Sequence, residues 1–118
     1  MLIGDDQNFA RTVIKSQLGT IEGIEIIEAE NGNQALGKAK VAIPILIFLD
    51  LIMPSKDGFE TLKELKENER TKNIPVIVVT AVEDAENIAK VRKLGAEKII
   101  NKNDLDKTDF IELAKKYL

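Results

Sequence analysis

Four apolar segments of this 118-residue chain run into a group that could do chemistry: "LIGDD" closes on Asp5-Asp6, "PILIFLD" on Asp50, "VIVVT" on Thr80 and "EKIINK" on Lys102. Three carboxylates held close together repel, and each would favour its neutral form. A bound cation removes that conflict. Mg²⁺ is the natural one, because it takes one or two carboxylates, keeps several waters and completes its shell with phosphate oxygens. A carboxylate can also act as a nucleophile and form an acyl phosphate. Phosphoryl transfer asks for positioning and neutralisation of oxygens more than for an acid or base. Mg²⁺, an ammonium, a hydroxyl and a backbone amide would supply both.

Composition narrows the alternatives. The chain has no His, which excludes a His general base, a Ser-His-Asp triad and imidazole metal sites. It has no Cys, which removes disulfides, thiolate catalysis and zinc clusters. Seventeen basic and 20 acidic residues are interspersed and leave a net charge of −3, which argues against direct nucleic-acid binding. No apolar run approaches the roughly 20 residues of a membrane span, and "MLIGDD" lacks the basic region and cleavage site of a signal peptide. The expectation is a cytoplasmic protein without membrane contact. P-loop nucleotide binding is excluded, because there is no Gly-rich loop followed by Gly-Lys-Ser/Thr. With 44% hydrophobic residues, the chain can build a core unaided.

The elements that must carry these groups alternate between strand and helix. "MLIG", "IEIIEA", "PILIFLD", "IPVIVVTA" and "EKIIN" read as five strands. Between them lie a helix from Asn8 with Phe9, Val13, Ile14 and Leu18 on one face, and a second starting near the N-cap Asn31. A third follows Asp57-Gly58 with Phe59, Leu62 and Leu65 inward, and a fourth covers Asp84 to Leu94 and stops at Gly95. Thr108 to Leu118 reads as the fifth. Such alternation implies right-handed crossovers onto a parallel sheet. "ILIFL" and "VIVV" have no polar face, as expected of strands covered on both sides. The fold class is a three-layer α/β domain over residues 1–118. Ligands of open parallel sheets sit beyond the carboxyl ends of the strands, where the four groups would meet.

Each group has a plainer role when taken singly. Asp5-Asp6 could cap the first helix, Asp50 could be a turn acid, Thr80 is a common strand residue, and Lys102 could be a surface lysine. Asp57 reads as the cap of the third helix, and Glu83-Asp84 as a solvated helix start. The joint arrangement favours function, since chance would rarely bring these groups to the ends of four different strands.

The segments "LIGDD", "AENGNQAL", "LDLIMPSKDG", "IPVIVVTA" and "LGAEKIINK", in this order over essentially the whole chain, resemble the response-regulator receiver domain, the CheY-like family. The resemblance implies a doubly wound (βα)5, flavodoxin-like fold with strand order 2-1-3-4-5. It implies that Asp50 accepts a phosphoryl group from the phosphohistidine of a sensor histidine kinase or phosphotransfer protein. Mg²⁺ would be bound by Asp6, Asp50 and the Ile52 carbonyl, and by Asp5 through water. Lys102 would pair with the phosphoryl group, the Thr80 hydroxyl would swing toward it, and the Ala81 amide would bind another oxygen. Pro54 and Gly58 would shape the loop behind the acceptor. The readout face would be helix four, strand five and helix five, residues 84–94, 97–100 and 108–118, binding a downstream protein or output domain.

The chain also departs from the family pattern. Asn103 follows Lys102 where Pro and a cis bond are usual. A cis bond without Pro costs about 2.5–4 kcal/mol, which leaves a trans bond or a strained cis bond. Ile99 stands where an aromatic ring is frequent, and Gln34 where Glu is common, the latter read as a surface change. Ile52 and Val82 are apolar at positions that influence hydrolysis of the acyl phosphate. Two competing functions follow. One is a degenerate receiver that binds a partner without phosphorylation. The other is a phosphatase or phosphotransferase, against which "DLIMP" offers no second acid two residues after Asp50.

Overall fold

The computed structural model describes residues 1–118. The strands are β1 (Leu2–Gly4), β2 (Ile27–Ala29), β3 (Ile47–Leu49), β4 (Val76–Thr80) and β5 (Lys98–Asn101). The helices are α1 (Asn8–Leu18), α2 (Gly32–Ala42), α3 (Gly58–Glu67), α4 (Ala85–Lys93) and α5 (Phe110–Lys115). All pairings are parallel and the order is β2-β1-β3-β4-β5, with the alternation read from the sequence and the order implied by the family resemblance.

The period of two along each strand divides the core into two layers. Leu2, Ile47, Leu49, Val76 and Val78 face α2, α3 and α4, where they meet Ala35, Leu36, Leu62, Leu65 and Val91. Ile3, Phe48, Ile77, Val79 and Ile100 face α1 and α5, where they meet Ala10, Ile14, Leu18, Phe110 and Leu113. Phe48 and Phe110 pack edge to face across the second layer, with ring centroids 5.6 Å apart. The central strands β1, β3 and β4 are wholly buried. Their carboxyl ends are therefore held rigidly.

Helix starts follow the expected chemistry. Asn31, Asp57 and Asp84 cap α2, α3 and α4 by accepting from the amides of Gln34, Glu60 and Asn87. Gln34 is more than a surface change, since its Oε1 also accepts from the Glu30 amide at 2.9 Å and closes the entry to α2 from both sides. Gly95, at φ +108°, follows α4 in a conformation that suits glycine.

Two expectations fail. Phe9 is 75% exposed, and the buried face of α1 is Ala10, Arg11, Ile14 and Leu18. The helix is turned so that Arg11 can reach inward to the Asp5 carbonyl (2.6 Å) and to Glu28 (3.2 Å), and that rotation carries Phe9 outward. The last helix is also shorter than Thr108 to Leu118. A 3-10 segment, Lys102–Lys107, follows β5 directly, and α5 begins only after its cap Asp109.

A Cβ on Gly58 would overlap the Asp50 carbonyl oxygen and the Leu51 Cα, backbone atoms that cannot step aside, whereas one on Gly37 would meet open space on an exposed helix face. In urea melts Gly58→Ala should therefore cost roughly 3 kcal/mol, the upper end for overpacking. Gly37→Ala should add about 0.5–1 kcal/mol of stability. Equal effects at the two positions would contradict this packing.

Candidate functional site

The groups at the carboxyl edge of the sheet converge. Asp5 and Asp50 follow β1 and β3 directly, and the backbone fixes both: the Asp5 amide donates to the Ala29 carbonyl and the Asp50 amide to the Gly4 carbonyl, each at 2.9 Å. Asp5 and Asp50 are almost fully buried while Asp6 is exposed, and carboxylate oxygens of all three lie within 4.8 Å of one another. Two buried acids with an exposed third at their mouth, mutually repelling and open on one side, form a donor set that fits a small, hard divalent cation.

Lys102 reaches back from the end of β5. Its Nζ lies 2.9 Å from Asp5 Oδ2 and 2.8 Å from Asp50 Oδ2, so one ammonium bridges the two buried acids. The other Asp50 oxygen, Oδ1, accepts from the Leu51 amide at 2.7 Å and the Ile52 amide at 3.4 Å. The loop behind it is pinned by the Gly58 amide on the Leu51 carbonyl (2.7 Å), by a short turn from Pro54 to Lys56, and by Ser55 at φ +69°. Pro54 lies in this loop and Gly58 closes it as the first residue of α3, while Asp57 caps that helix.

Thr80 ends β4 fully buried, and its hydroxyl accepts from the Val82 amide at 3.3 Å. Ala81 follows it on the surface, and Ile52 is 62% exposed beside the acids. The chain contains no cis peptide, so the Lys102–Asn103 bond is trans. Asn103 is instead tied by its side chain. Its Nδ2 and that of Asn101 both donate to Glu83 Oε1 at 3.0 Å, while its amide donates to Asn101 Oδ1 at 2.8 Å. Glu83 thus holds the loop after β4 against the end of β5, a role beyond that of a solvated helix start.

Sequence reasoning missed Gln7. Its Oε1 accepts from Lys102 Nζ at 2.7 Å and its amide donates to Asp5 Oδ1 at 2.8 Å. The available signal was a Gln at the N-cap of a helix, where it is a poor choice.

Burial pushes the Asp5 carboxyl above its ordinary value, and the Asp50 charge adds to this, while bonds from Lys102 and the Gln7 amide oppose it. For Lys102, burial alone would lower the value, but the bonds and charges of Asp5 and Asp50 outweigh it and the ammonium is held above 10.5. Its contribution to stability is fully present below 10.5 and fades only as pH rises through the raised value. Lys102→Met should cost about 3 kcal/mol near neutral pH, the lower end of what breaking a buried ion pair costs. Asp5, whose folded value is raised, is protonated in both folded and unfolded protein below its ordinary value of 3.8; the penalty of ionising it grows as pH rises from there to the folded value and is constant above it. Denaturation across pH should therefore show the gap between wild type and variant narrowing toward acid. A pH-independent gap would contradict this electrostatic account.

The family model for the response regulator receiver domain matches residues 1–115. The chain is 40% identical over 105 residues to a protein-glutamate methylesterase/protein-glutamine glutaminase of Halalkalibacterium halodurans, covering 86% of this chain and 30% of that one. It is 38% identical over 96 residues to the polar-differentiation response regulator DivK of Brucella anthropi, covering 81% and 77% of the two chains. The chain thus spans under a third of the methylesterase but most of the DivK-type regulator. Among solved structures, Vibrio cholerae chemotaxis protein CheY4 superposes with a TM-score of 0.84 at 25% identity over 99% of this chain and 96% of its own. The response regulator domain of Thermotoga maritima CheB gives 0.82 at 27% identity, over 98% and 90%. The family-model match over nearly the whole chain, with the sheet order beside it, shows that this chain belongs to the response-regulator receiver family.

Proposed function

We propose that the chain is a phosphoacceptor switch whose acceptor is Asp50. The observation that carries this reading is Lys102 Nζ held between the buried Asp5 and Asp50 carboxylates with Asp6 at their mouth. An oxygen of Asp50 forms the new bond to phosphorus while the P–N bond of a partner's phosphohistidine breaks, and the freed imidazole takes a proton from solvent. Asp6, Asp50, the Ile52 carbonyl and, through water, Asp5 would hold Mg²⁺. When bound, it neutralises charge on the transferring phosphoryl oxygens. Lys102 trades a carboxylate partner for a phosphoryl oxygen, the Ala81 amide receives another, and the Thr80 hydroxyl turns from the Val82 amide toward the new charge. The chain takes part in its own phosphorylation and dephosphorylation without turning over a separate substrate.

The added charge biases a two-state equilibrium read at α4, β5 and α5. Two features support that face. Val91 is the one fully buried residue of α4, so little packing resists its displacement. The loop leading into α4 is tied to the end of β5 through Glu83. Ile99 is half-buried on β5, and without a ring at that position the readout relies on loop and helix shifts. The partners would be a sensor histidine kinase or phosphotransfer protein upstream and a downstream protein or output domain. No helix is long and apolar enough to cross a membrane.

Intact-mass measurement after incubation with a small phosphodonor and Mg²⁺ tests the reading. The expected result is a gain of one phosphoryl group that disappears in Asp50→Asn and on chelation. No gain in the wild type would turn the reading to a phosphorylation-independent binding module. The acyl phosphate should also be long-lived, because Ile52 is apolar and exposed beside the acids and Val82 packs against the core, so neither orients a water. Ile52→Asn and Val82→Glu should shorten its lifetime severalfold, and unchanged decay would refute that explanation.

A further inference from the structure

Gln7 occupies the N-cap of α1 without capping it, since its side chain makes no bond to the first-turn amides. The other four α-helices place Asn or Asp there. Each of those side chains accepts from the third helical amide: Asn31 from Gln34, Asp57 from Glu60, Asp84 from Asn87 and Asp109 from Glu112. Asn and Asp are among the best N-caps and Gln is not. At the helix start that follows Asp5 and Asp6, this chain sets aside the choice it makes at its other four α-helices. The Gln7 side chain is turned onto Lys102.

An ammonium has three donors. Lys102 donates to Asp50 Oδ2 at 2.8 Å and to Gln7 Oε1 at 2.7 Å, and its Nζ lies 2.9 Å from Asp5 Oδ2 as an ion pair. The backbone amide of Gln7 meanwhile donates to Asp5 Oδ1. A single residue therefore brackets the Asp5–Lys102 pair, by main chain on one side and by side chain on the other. We propose that Gln7 is a positioning residue for Lys102. Its neutral carbonyl takes one of the ammonium's donors and holds it beside both carboxylates without adding a fourth negative charge. The consequence for phosphorylation rests on the phosphoacceptor reading above.

Lys102 needs such a tether. It follows an edge strand, and β4 separates that strand from β3, which carries Asp50. Its backbone is ordered by the 3-10 segment that begins there, but the long, flexible stem beyond it must still be directed onto the acids.

Two substitutions separate positioning from scaffolding: Gln7→Met keeps length but has no strong acceptor, and Gln7→Glu keeps one. Competitive trace labelling of lysines with acetic anhydride, read by peptide mass with the exposed Lys93 as reference, reports how firmly Lys102 is held. Its relative reactivity should rise about tenfold or more in Gln7→Met, as expected on losing a hydrogen bond to a charged group, and stay at or below wild type in Gln7→Glu. The rate of phosphorylation by a small phosphodonor at saturating Mg²⁺ should fall in Gln7→Met, yet the same substitution should change nothing in Lys102→Met protein. Unchanged Lys102 reactivity, or an equal loss of rate in both backgrounds, overturns the proposal. If the wild type accepts no phosphoryl group, the phosphoacceptor reading falls, and the labelling alone still decides the tether.

Discussion

One ammonium between two buried carboxylates is the constraint on which the carboxyl edge of this sheet depends. Asp5 and Asp50 sit side by side at the ends of adjacent strands, almost wholly out of water, with a third acid at the entrance. Without a cation that arrangement would be strongly self-repelling, and it persists because Lys102 reaches across from β5. The pair leaves one side of the cluster open, and the sum of three carboxylates and one ammonium remains negative. On the proposed reading, a site built this way would be stable when resting and would still draw in a divalent cation and then the oxygens of a phosphoryl group.

The rest of the fold supplies rigidity where that balance needs it. Alternate residues of β1, β3 and β4 are gripped by two separate hydrophobic layers, so these strand ends cannot drift. Backbone bonds carry the order one residue beyond the strands to Asp5 and Asp50 themselves. Gly58 is required because the chain passes hard against the backbone of Asp50 and Leu51. Preorganisation here is a matter of backbone contact more than of side-chain packing.

Lighter packing lies on the other side. Helix α4 is well capped by Asp84 but buries Val91 alone, so its local structure is secure while its docking is slight. The loop before it carries Thr80's hydrogen-bond partner Val82 and the Glu83 hook onto Asn101 and Asn103. A charge added at Asp50 would therefore act on an element that costs little to move, through contacts that lie on the surface and reform readily.

Much of this was legible in the residues alone. Strand and helix alternation, the doubly covered β3 and β4, the caps Asn31 and Asp57, and the acids that end β1 and β3 all follow from local preference and short-range periodicity. Tertiary structure decided what depends on contacts distant in sequence. Arg11, drawn to the Asp5 carbonyl and Glu28, set the rotation of α1 and turned Phe9 outward. Glu83 became a tie because β5 ends beside it, and the chain after Lys102 tightened into a 3-10 segment where a longer helix was expected. Gln7 and Lys102 are 95 residues apart, and no periodicity links them. The sequence by itself determined which groups stand at the strand ends, because that depends on where each apolar run stops. Only the order of the sheet decided which of them touch, because neighbours in a parallel sheet are set by crossovers and long-range packing, not by adjacency along the chain.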